Sequence, residues 1–146
     1  MRINSIILLL AVLLAVCNDS IADHFEDPVG ALIDKLTASH AEQEDSISRL
    51  LAMGEDVVPC LINYLDDVRP VARQAVSFEN KSMNSFEAFR HYRPEVVHDL
   101  VAAILNQITG KSFIFVYNGA SEEARAENAA LWASWCQVHC NCSSGK

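Results

Sequence analysis

A broad apolar stripe over residues 97–108 constrains the fold of this chain more than any other feature of its sequence. Apolar side chains recur there at intervals of three and four residues, at Val97, Leu100, Val101, Ile104, Leu105 and Ile108. This interval is typical of a helix that buries one face. Pro94 precedes the stripe and Thr109-Gly110 follows it. We therefore expect a buried helix that begins near the proline and ends at the glycine.

Start and stop signals predict further helices on both sides of this stripe. The expected segments cover residues 28–36, 40–53, 56–66, 71–76 and 122–138. The second has the clearest signals, because Ser39 and Glu42 have capping-box spacing and Gly54 can take the positive φ that ends a helix. In the last segment, Trp132 and Trp135 are three residues apart, which predicts that they pack near the end of that helix.

Two stretches lack a helical pattern. Residues 78–93 look irregular and make a long connection for a compact helical domain. The run SFIFVY at residues 112–117 is the only strand-like segment. Because a lone strand has nothing to pair with, we interpret this run as a buried extended connector. The fold class expected from these patterns is all-α.

Residues 46–67, with the sequence SISRLLAMGEDVVPCLINYLDD, resemble a HEAT repeat. That family's pattern is a leucine-containing helix, a glycine turn, then Val-Pro-x-Leu and a second helix that closes on Asp. The resemblance implies a short HEAT-like α-solenoid of antiparallel helix pairs with one long irregular loop. At roughly 40 residues per repeat, residues 23–146 would hold about three units in one helical domain. A plain irregular helical bundle is the alternative.

The first 22 residues predict a secretory signal. Arg2 supplies the positive start, and residues 6–16 form an unbroken apolar run of eleven residues. That run is shorter than the roughly 20 residues that a membrane-spanning helix needs. Ser20-Ile21-Ala22 provides small residues for a cleavage site, so we expect a mature chain from Asp23, in the periplasm or secreted. Residues 14–17 resemble a lipobox, which leaves a lipid anchor at Cys17 as the alternative.

An exported chain with an even number of cysteines is expected to form disulfides. The four candidates are Cys60, Cys136, Cys140 and Cys142. In every possible pairing Cys60 joins one cysteine of the tail. The cluster around His139 also has the ligand types of a zinc site, but all its ligands lie within seven residues, whereas zinc sites pair two separated halves. We therefore expect disulfides, no metal and no cofactor.

The charge balance excludes some partners and favours others. The chain has 19 acidic and 11 basic residues, a formal net charge of −8. No basic stripe is available to neutralise phosphates, so a nucleic-acid binder is not expected. The same charge disfavours anionic membrane surfaces and favours a partner with a basic face.

The sequence has no known catalytic motif around the polar residues that could act as a nucleophile, an acid or a base. His91, Glu95, His98 and Asp99 are candidate pieces, yet the sequence has no His-Glu-x-x-His, no Gly-x-Ser-x-Gly and no phosphate loop. A Glu–His pair three residues apart on a helix is usually a surface contact. We expect no enzymatic activity and no catalytic residues.

The long connection is the expected partner-binding surface, because it combines aromatic residues with arginine and histidine. The candidate contact residues are Phe78, Glu79, Asn80, Phe86, Arg90, His91 and Tyr92. Some aromatics, among Phe78, Phe86 and Phe89, are expected to anchor the loop to the domain. Arg90, His91 and Tyr92 are expected to face outward.

Together these features are typical of an exported binding module. In signal, size, acidity and HEAT-like build, the chain is similar in type to the periplasmic immunity proteins of type VI secretion amidase effectors. That resemblance implies binding and inhibition of a basic, peptidoglycan-degrading amidase toxin. An envelope assembly or scaffold protein is the main alternative, and a small hydrolase or metal protein built around the tail cysteines is a further one. A homodimer also stays open.

Overall fold

The computed structural model describes residues 27–81 and 86–140. These residues form helices α1 (Pro28–Lys35) and α2 (His40–Met53), a 3₁₀ turn (Gly54–Val57), helix α3 (Val58–Ile62), strands β1 (Val76–Glu79) and β2 (Phe89–Tyr92), and helices α4 (Val97–Thr109) and α5 (Glu122–His139). The domain is mostly helical and carries a small two-stranded sheet, so the expected all-α class is too narrow. The predicted signal and its cleavage site lie outside the described residues.

Helix α2 has the predicted bounds because local signals set both of its ends. The Ser39 hydroxyl accepts a hydrogen bond from the Glu42 backbone N–H at 3.3 Å and donates one to the Glu42 carboxylate at 2.7 Å. At the other end, Gly54 takes a φ of +63°, which favours glycine. The predicted cap and stop are both confirmed.

The helix predicted over residues 56–66 is shorter in the structure. The chain first makes the 3₁₀ turn, then the five residues of α3, in which Pro59 lies in the first turn. After α3, the backbone N–H groups of Asn63 and Tyr64 donate to the carbonyls three residues earlier, those of Cys60 and Leu61. This segment buries Val58 and Leu61 against the core, although little of it is regular α-helix.

Helix α4 lies at the centre of the core, as the apolar stripe predicts. Its residues 100–105 are all fully buried, and the helix contacts α2, the 3₁₀ turn and α3. It ends at Gly110, with a φ of +69°. The same helix also buries three polar side chains, those of His98, Asp99 and Asn106, which therefore need partners inside the protein.

The segment before α4 differs from the sequence-based expectation. The helical piece predicted over residues 71–76 is wrong: no helix forms there, and the Val71 N–H donates to the Glu95 carbonyl while the Ala72 N–H donates to the Leu36 carbonyl. The stretch predicted to be irregular instead forms an antiparallel hairpin, in which β1 pairs with β2.

The last helix follows the prediction, and the connector follows it in part: Val116 and Tyr117 are buried, whereas Ser112 and Phe115 are exposed, so the connector is not buried as a whole. Residues 112–117 form no strand, and Phe113 packs edge-on against Trp132 with ring centroids 4.9 Å apart. Trp132 is fully buried, and the ring of Trp135 lies 5.6 Å from it. Among the described residues, no helix is both long and apolar enough to cross a bilayer.

Candidate functional site

The β1–β2 hairpin has two chemically different faces, because side chains alternate along a strand. Its register pairs Val76 with Tyr92, Ser77 with His91, Phe78 with Arg90, and Glu79 with Phe89. The side chains of the first and third pairs face the domain. Those of the second and fourth pairs are exposed.

The inner face is anchored by aromatic packing. Phe78 and Tyr92 are 3% and 8% exposed, and their rings lie 5.5 Å apart. Tyr92 also packs edge-on against Tyr117, with ring centroids 5.3 Å apart. The prediction that Tyr92 faces outward is therefore wrong, and Phe78 serves as an anchor and not as an exposed contact.

Polar contacts fix the same hairpin to helix α4. The Oδ1 atom of the buried Asn106 accepts from the Arg90 guanidinium at 3.3 Å and from the Tyr92 hydroxyl at 3.4 Å. Arg90 also donates to Asn80 Oδ1 at 3.2 Å, and Gln107 donates to the Glu79 carbonyl at 2.7 Å. Arg90 is half-buried in these contacts, whereas the sequence predicted it to face outward. The hairpin is therefore held at several points along one edge of α4.

The outer face presents exposed aromatic and titratable side chains. Phe86 is fully exposed and Phe89 is 52% exposed. His91 and Glu79 are also exposed, and the His91 Nδ1 lies 2.7 Å from the Ser77 hydroxyl. We call Glu79, Phe86, Phe89 and His91 the hairpin face. Of the two phenylalanines, Phe89 lies on the paired strand β2. Exposed aromatics on such a support are typical of the centre of a protein-binding surface, because the backbone that carries them is already ordered before binding.

Phe89 is the residue of this face that sequence reasoning missed. It was expected among the anchoring aromatics, but it lies on the exposed side of β2. A period-two signal would have found it: in the run Phe89-Arg90-His91-Tyr92, an inward Tyr92 places Arg90 inward and Phe89 outward. The four-residue length of each strand made that signal too short to separate from a loop.

The candidate catalytic residues His91, Glu95, His98 and Asp99 bond mainly to groups outside this set, and the one hydrogen bond between two of them joins the Asp99 side chain to the Glu95 backbone. Arg125 donates two hydrogen bonds to the fully buried carboxylate of Asp99, at 2.7 and 3.0 Å. Asp99 also accepts from the Glu95 backbone N–H at 3.0 Å. The buried His98 donates from Nδ1 to the Leu65 carbonyl, and burial lowers the pKa of its imidazole. His91 lies on the hairpin and contacts Ser77, so these four residues form no single cluster of nucleophile and base.

No protein-family model, curated protein or solved structure matches the chain. Its function therefore has to be inferred from the chemistry of its own surfaces.

The cysteines depart from the predicted pattern. Cys60 is a free, exposed thiol and Cys140 is a free, half-buried one, so the bridge expected between Cys60 and the tail is not formed. Cys136 is buried and disulfide-bonded, and Cys142 lies outside the described residues. In the short α3, the Cys60 side chain is exposed to solvent. Within residues 27–81 and 86–140, no group of His, Cys, Asp and Glu is arranged to hold a metal ion.

Proposed function

We propose that this chain is an exported protein-binding module and that the hairpin face contacts its partner. The observation that carries this proposal is the pair of exposed phenylalanines, Phe89 on β2 and Phe86 in the connection just before it, beside the contacts that fix the two strands to α4. Burial of an exposed aromatic side chain in a complex removes apolar surface from water, which is favourable. When the backbone that carries it is already ordered, binding costs little additional conformational entropy. They are therefore suited to the centre of an interface.

Charge favours a basic partner. Removal of the predicted signal takes one acid and one base, which leaves 18 acids and 10 bases and a net charge of −8. An opposite charge on the partner raises the rate of encounter, most strongly at low salt. The hairpin face itself carries one carboxylate, that of Glu79, so steering comes mainly from acids elsewhere on the domain.

The more specific form of the proposal is a periplasmic immunity protein that binds and inhibits a peptidoglycan-degrading amidase toxin. The predicted signal, the size and the acidic charge support it. So does the HEAT-like interpretation of residues 46–67, where α2 ends at the positive-φ Gly54 and the 3₁₀ turn leads into α3. A basic enzyme that acts on the cell wall is the kind of partner that such an inhibitor would meet in the periplasm.

The test begins with affinity capture from periplasmic extract and identification of the bound protein, followed by calorimetry. Exchange of both Phe86 and Phe89 for Ala should weaken binding at least tenfold, because both side chains would be buried at the interface. Phe115→Ala is the matched control, since Phe115 is an exposed aromatic, at 62%, outside the hairpin. Unchanged affinity in a folded double variant would contradict the role of the hairpin.

An activity assay tests the specific form. The purified chain should abolish the wall-cutting activity of the captured protein at one-to-one stoichiometry. A captured partner without such activity would contradict the inhibitor assignment, and the scaffold alternative would then be preferred.

A further inference from the structure

The outer edge of β1, the edge that faces away from β2, carries backbone groups that the hairpin does not use. Hydrogen-bonded and non-hydrogen-bonded pairs alternate along an antiparallel ladder. The Asn80 N–H donates to the opposite Ala88 carbonyl at 2.7 Å, so this pair is hydrogen-bonded. Counted back along β1, Phe78 and Val76 are also in hydrogen-bonded pairs, and Ser77 lies between them in a non-hydrogen-bonded pair. The N–H and C=O of Ser77 therefore point away from β2.

A groove of about 370 Å³ lies along this edge. One wall is α2, at Ile47 and Ser48, and the other is β1, at residues 76–78. Because consecutive residues from both faces of β1 line the groove, it follows the edge of the strand and not one face of the sheet. The Ser77 N–H and C=O therefore point into it. Within residues 27–81 and 86–140, no group forms a hydrogen bond with either of them.

Side-chain amides satisfy the backbone on both sides of Ser77. Gln43 is 1% exposed; its Nε2 donates to the Arg73 carbonyl at 2.9 Å, and its Oε1 accepts from the Arg73 N–H at 2.6 Å. Gln107 donates to the Glu79 carbonyl at 2.7 Å. An amide offers a donor and an acceptor, as the peptide group of an added strand does. The open pair of groups at Ser77 therefore calls for another amide.

The walls of the groove favour the backbone of an extended segment as the source of that amide. Side chains alternate along a strand, so the neighbours of the residue that pairs with Ser77 would point toward Val76 and Ile47. A single carboxamide side chain would leave these apolar groups uncovered. The β1 strand of a second copy would bring its own α2 into the same space, whereas an isolated extended segment has no such obstruction.

The charges beside the groove favour a basic residue in this segment. Glu79 is exposed, lies on the same face of β1 as Ser77, and has no ion pair in the described part of the chain. Glu44, on the opposite wall, is already paired with Arg73 at 2.9 Å. An antiparallel segment places the residue two positions before the partner of Ser77 opposite Glu79. Opposite charges in such cross-strand positions attract.

We infer that the groove between α2 and β1 binds an extended segment of the protein partner as a third, antiparallel strand. The segment has the pattern basic, apolar, any residue, apolar. Its third residue exchanges two hydrogen bonds with Ser77, and its two apolar side chains enter the groove. The partner rests on the proposed function, and the inference adds the way in which its backbone is bound.

The experiment titrates the full chain, isotope-labelled at its serine amides, with the peptide acetyl-Lys-Val-Thr-Val-amide and follows the signals by NMR. The Ser77 signal is the one lost in Ser77→Ala. We expect it to shift, with a dissociation constant on the order of 1 mM for so short a peptide. No shift of this signal would overturn the site.

Two methylated peptides test the strand geometry. Methylation of the threonine nitrogen removes the donor to the Ser77 carbonyl and should weaken binding at least tenfold. The same methyl group on the nitrogen of the last valine is the matched control, because that N–H points away from β1 and its loss should leave binding unchanged. Equal binding of the two methylated peptides would overturn strand addition.

Variants of Ser77 test the same bond from the side of the protein. Ser77→Pro removes an N–H that takes no part in the β1–β2 ladder, and proline is tolerated on such an edge. It should weaken binding of the peptide at least tenfold. Ser77→Ala is the matched control, since it removes the same hydroxyl and keeps the N–H; the Ser48 amide, on the other wall, reports binding in both variants. Equal binding in the two variants, both folded by circular dichroism, would refute the site.

Three further outcomes decide the nature of the occupant. Exchange of the lysine of the peptide for glutamate should weaken binding roughly two- to fivefold, and equal binding would overturn the basic position. Propionamide that bound as tightly as the peptide would assign the groove to a lone amide. A dimer in sedimentation that is lost in Ser77→Pro would assign it to a second copy. None of these measurements involves Phe86 or Phe89, so failure of the groove would leave the result for the hairpin face unchanged.

Discussion

Removal of the Arg125 guanidinium is expected to be the most destabilising single change at an ion pair in the described part of this chain. Arg125 is 15% exposed and Asp99 is fully buried, and two hydrogen bonds of 2.7 and 3.0 Å join them. In Arg125→Gln the carboxylate would stay buried without its counter-ion. Breaking a buried pair in this way costs about 3–5 kcal/mol.

The contacts of Asp99 place the expected cost near the lower end of that range. Its Oδ2 keeps a backbone donor at 3.0 Å, the N–H of Glu95, and a longer one at 3.4 Å, the N–H of Val96. The additional ion pair of Arg125 with Glu95 spans 3.5 Å, and Glu95 is 59% exposed, so it contributes little. We therefore expect a loss of about 3 kcal/mol, which lowers the melting temperature by roughly 10 °C in a domain of this size.

Urea denaturation followed by circular dichroism measures this loss. Arg49→Gln is the control, because Arg49 pairs with Asp45 at 3.8 Å with both side chains more than half exposed, and its removal should cost well under about 1 kcal/mol. Asp99→Asn should be less damaging in the Arg125→Gln background than alone, since the buried charge is then already unpaired. A cost for Arg125→Gln no larger than that of Arg49→Gln would refute the buried pair.

Two other measurements test the interior and the thiols. Burial lowers the pKa of His98 below 6.5 and outweighs the Leu65 hydrogen bond and the charge of Asp99, which both raise it. The unfolded chain therefore binds a proton that the folded chain resists. The free energy of unfolding should therefore fall as the pH drops below 6.5. The His98→Asn variant should lose less free energy over the same pH range. If the two proteins gave parallel pH profiles, His98 would not be the source of the loss. Cys60 should react with a thiol reagent in the folded protein faster than Cys140, because Cys60 is exposed whereas burial raises the pKa of the Cys140 thiol. Equal rates for the two thiols, measured by mass spectrometry, would count against this exposure difference.

The sequence predicted the helix ends correctly where neighbouring residues determine them, through caps and glycine stops. Ser39 and Glu42 lie three residues apart and set the start of α2, and Gly110 ends α4, so both ends can be identified from neighbouring residues alone. The hairpin was missed because β1 and β2 are stabilised by contacts between residues far apart in the sequence. The pairing of Phe78 with Arg90 is visible only once the chain has folded back on itself.

The partners of the buried polar side chains could not be predicted from the sequence either. Asp99 and Arg125 are 26 residues apart, and His98 meets the carbonyl of a residue 33 positions earlier. Spacing along one helix predicted a surface contact between Glu95 and His98, whereas burial of α4 gave each a different partner. The Cys60 bridge was predicted wrongly for a related reason: the count of cysteines gives the possible pairings, but it does not show which thiols come close in the fold.

Helix α4 connects the hairpin to the last helix. Asn106 holds the hairpin through Arg90, Asp99 holds Arg125 of α5, and seven residues separate the two contacts on one continuous helix. At 1.5 Å per residue, they lie about 10 Å apart along the helix axis. Because a buried helix does not stretch, a change at the Asp99–Arg125 pair that displaces α4 would also displace the hairpin. The interior charge and the position of the exposed aromatic side chains are therefore mechanically coupled.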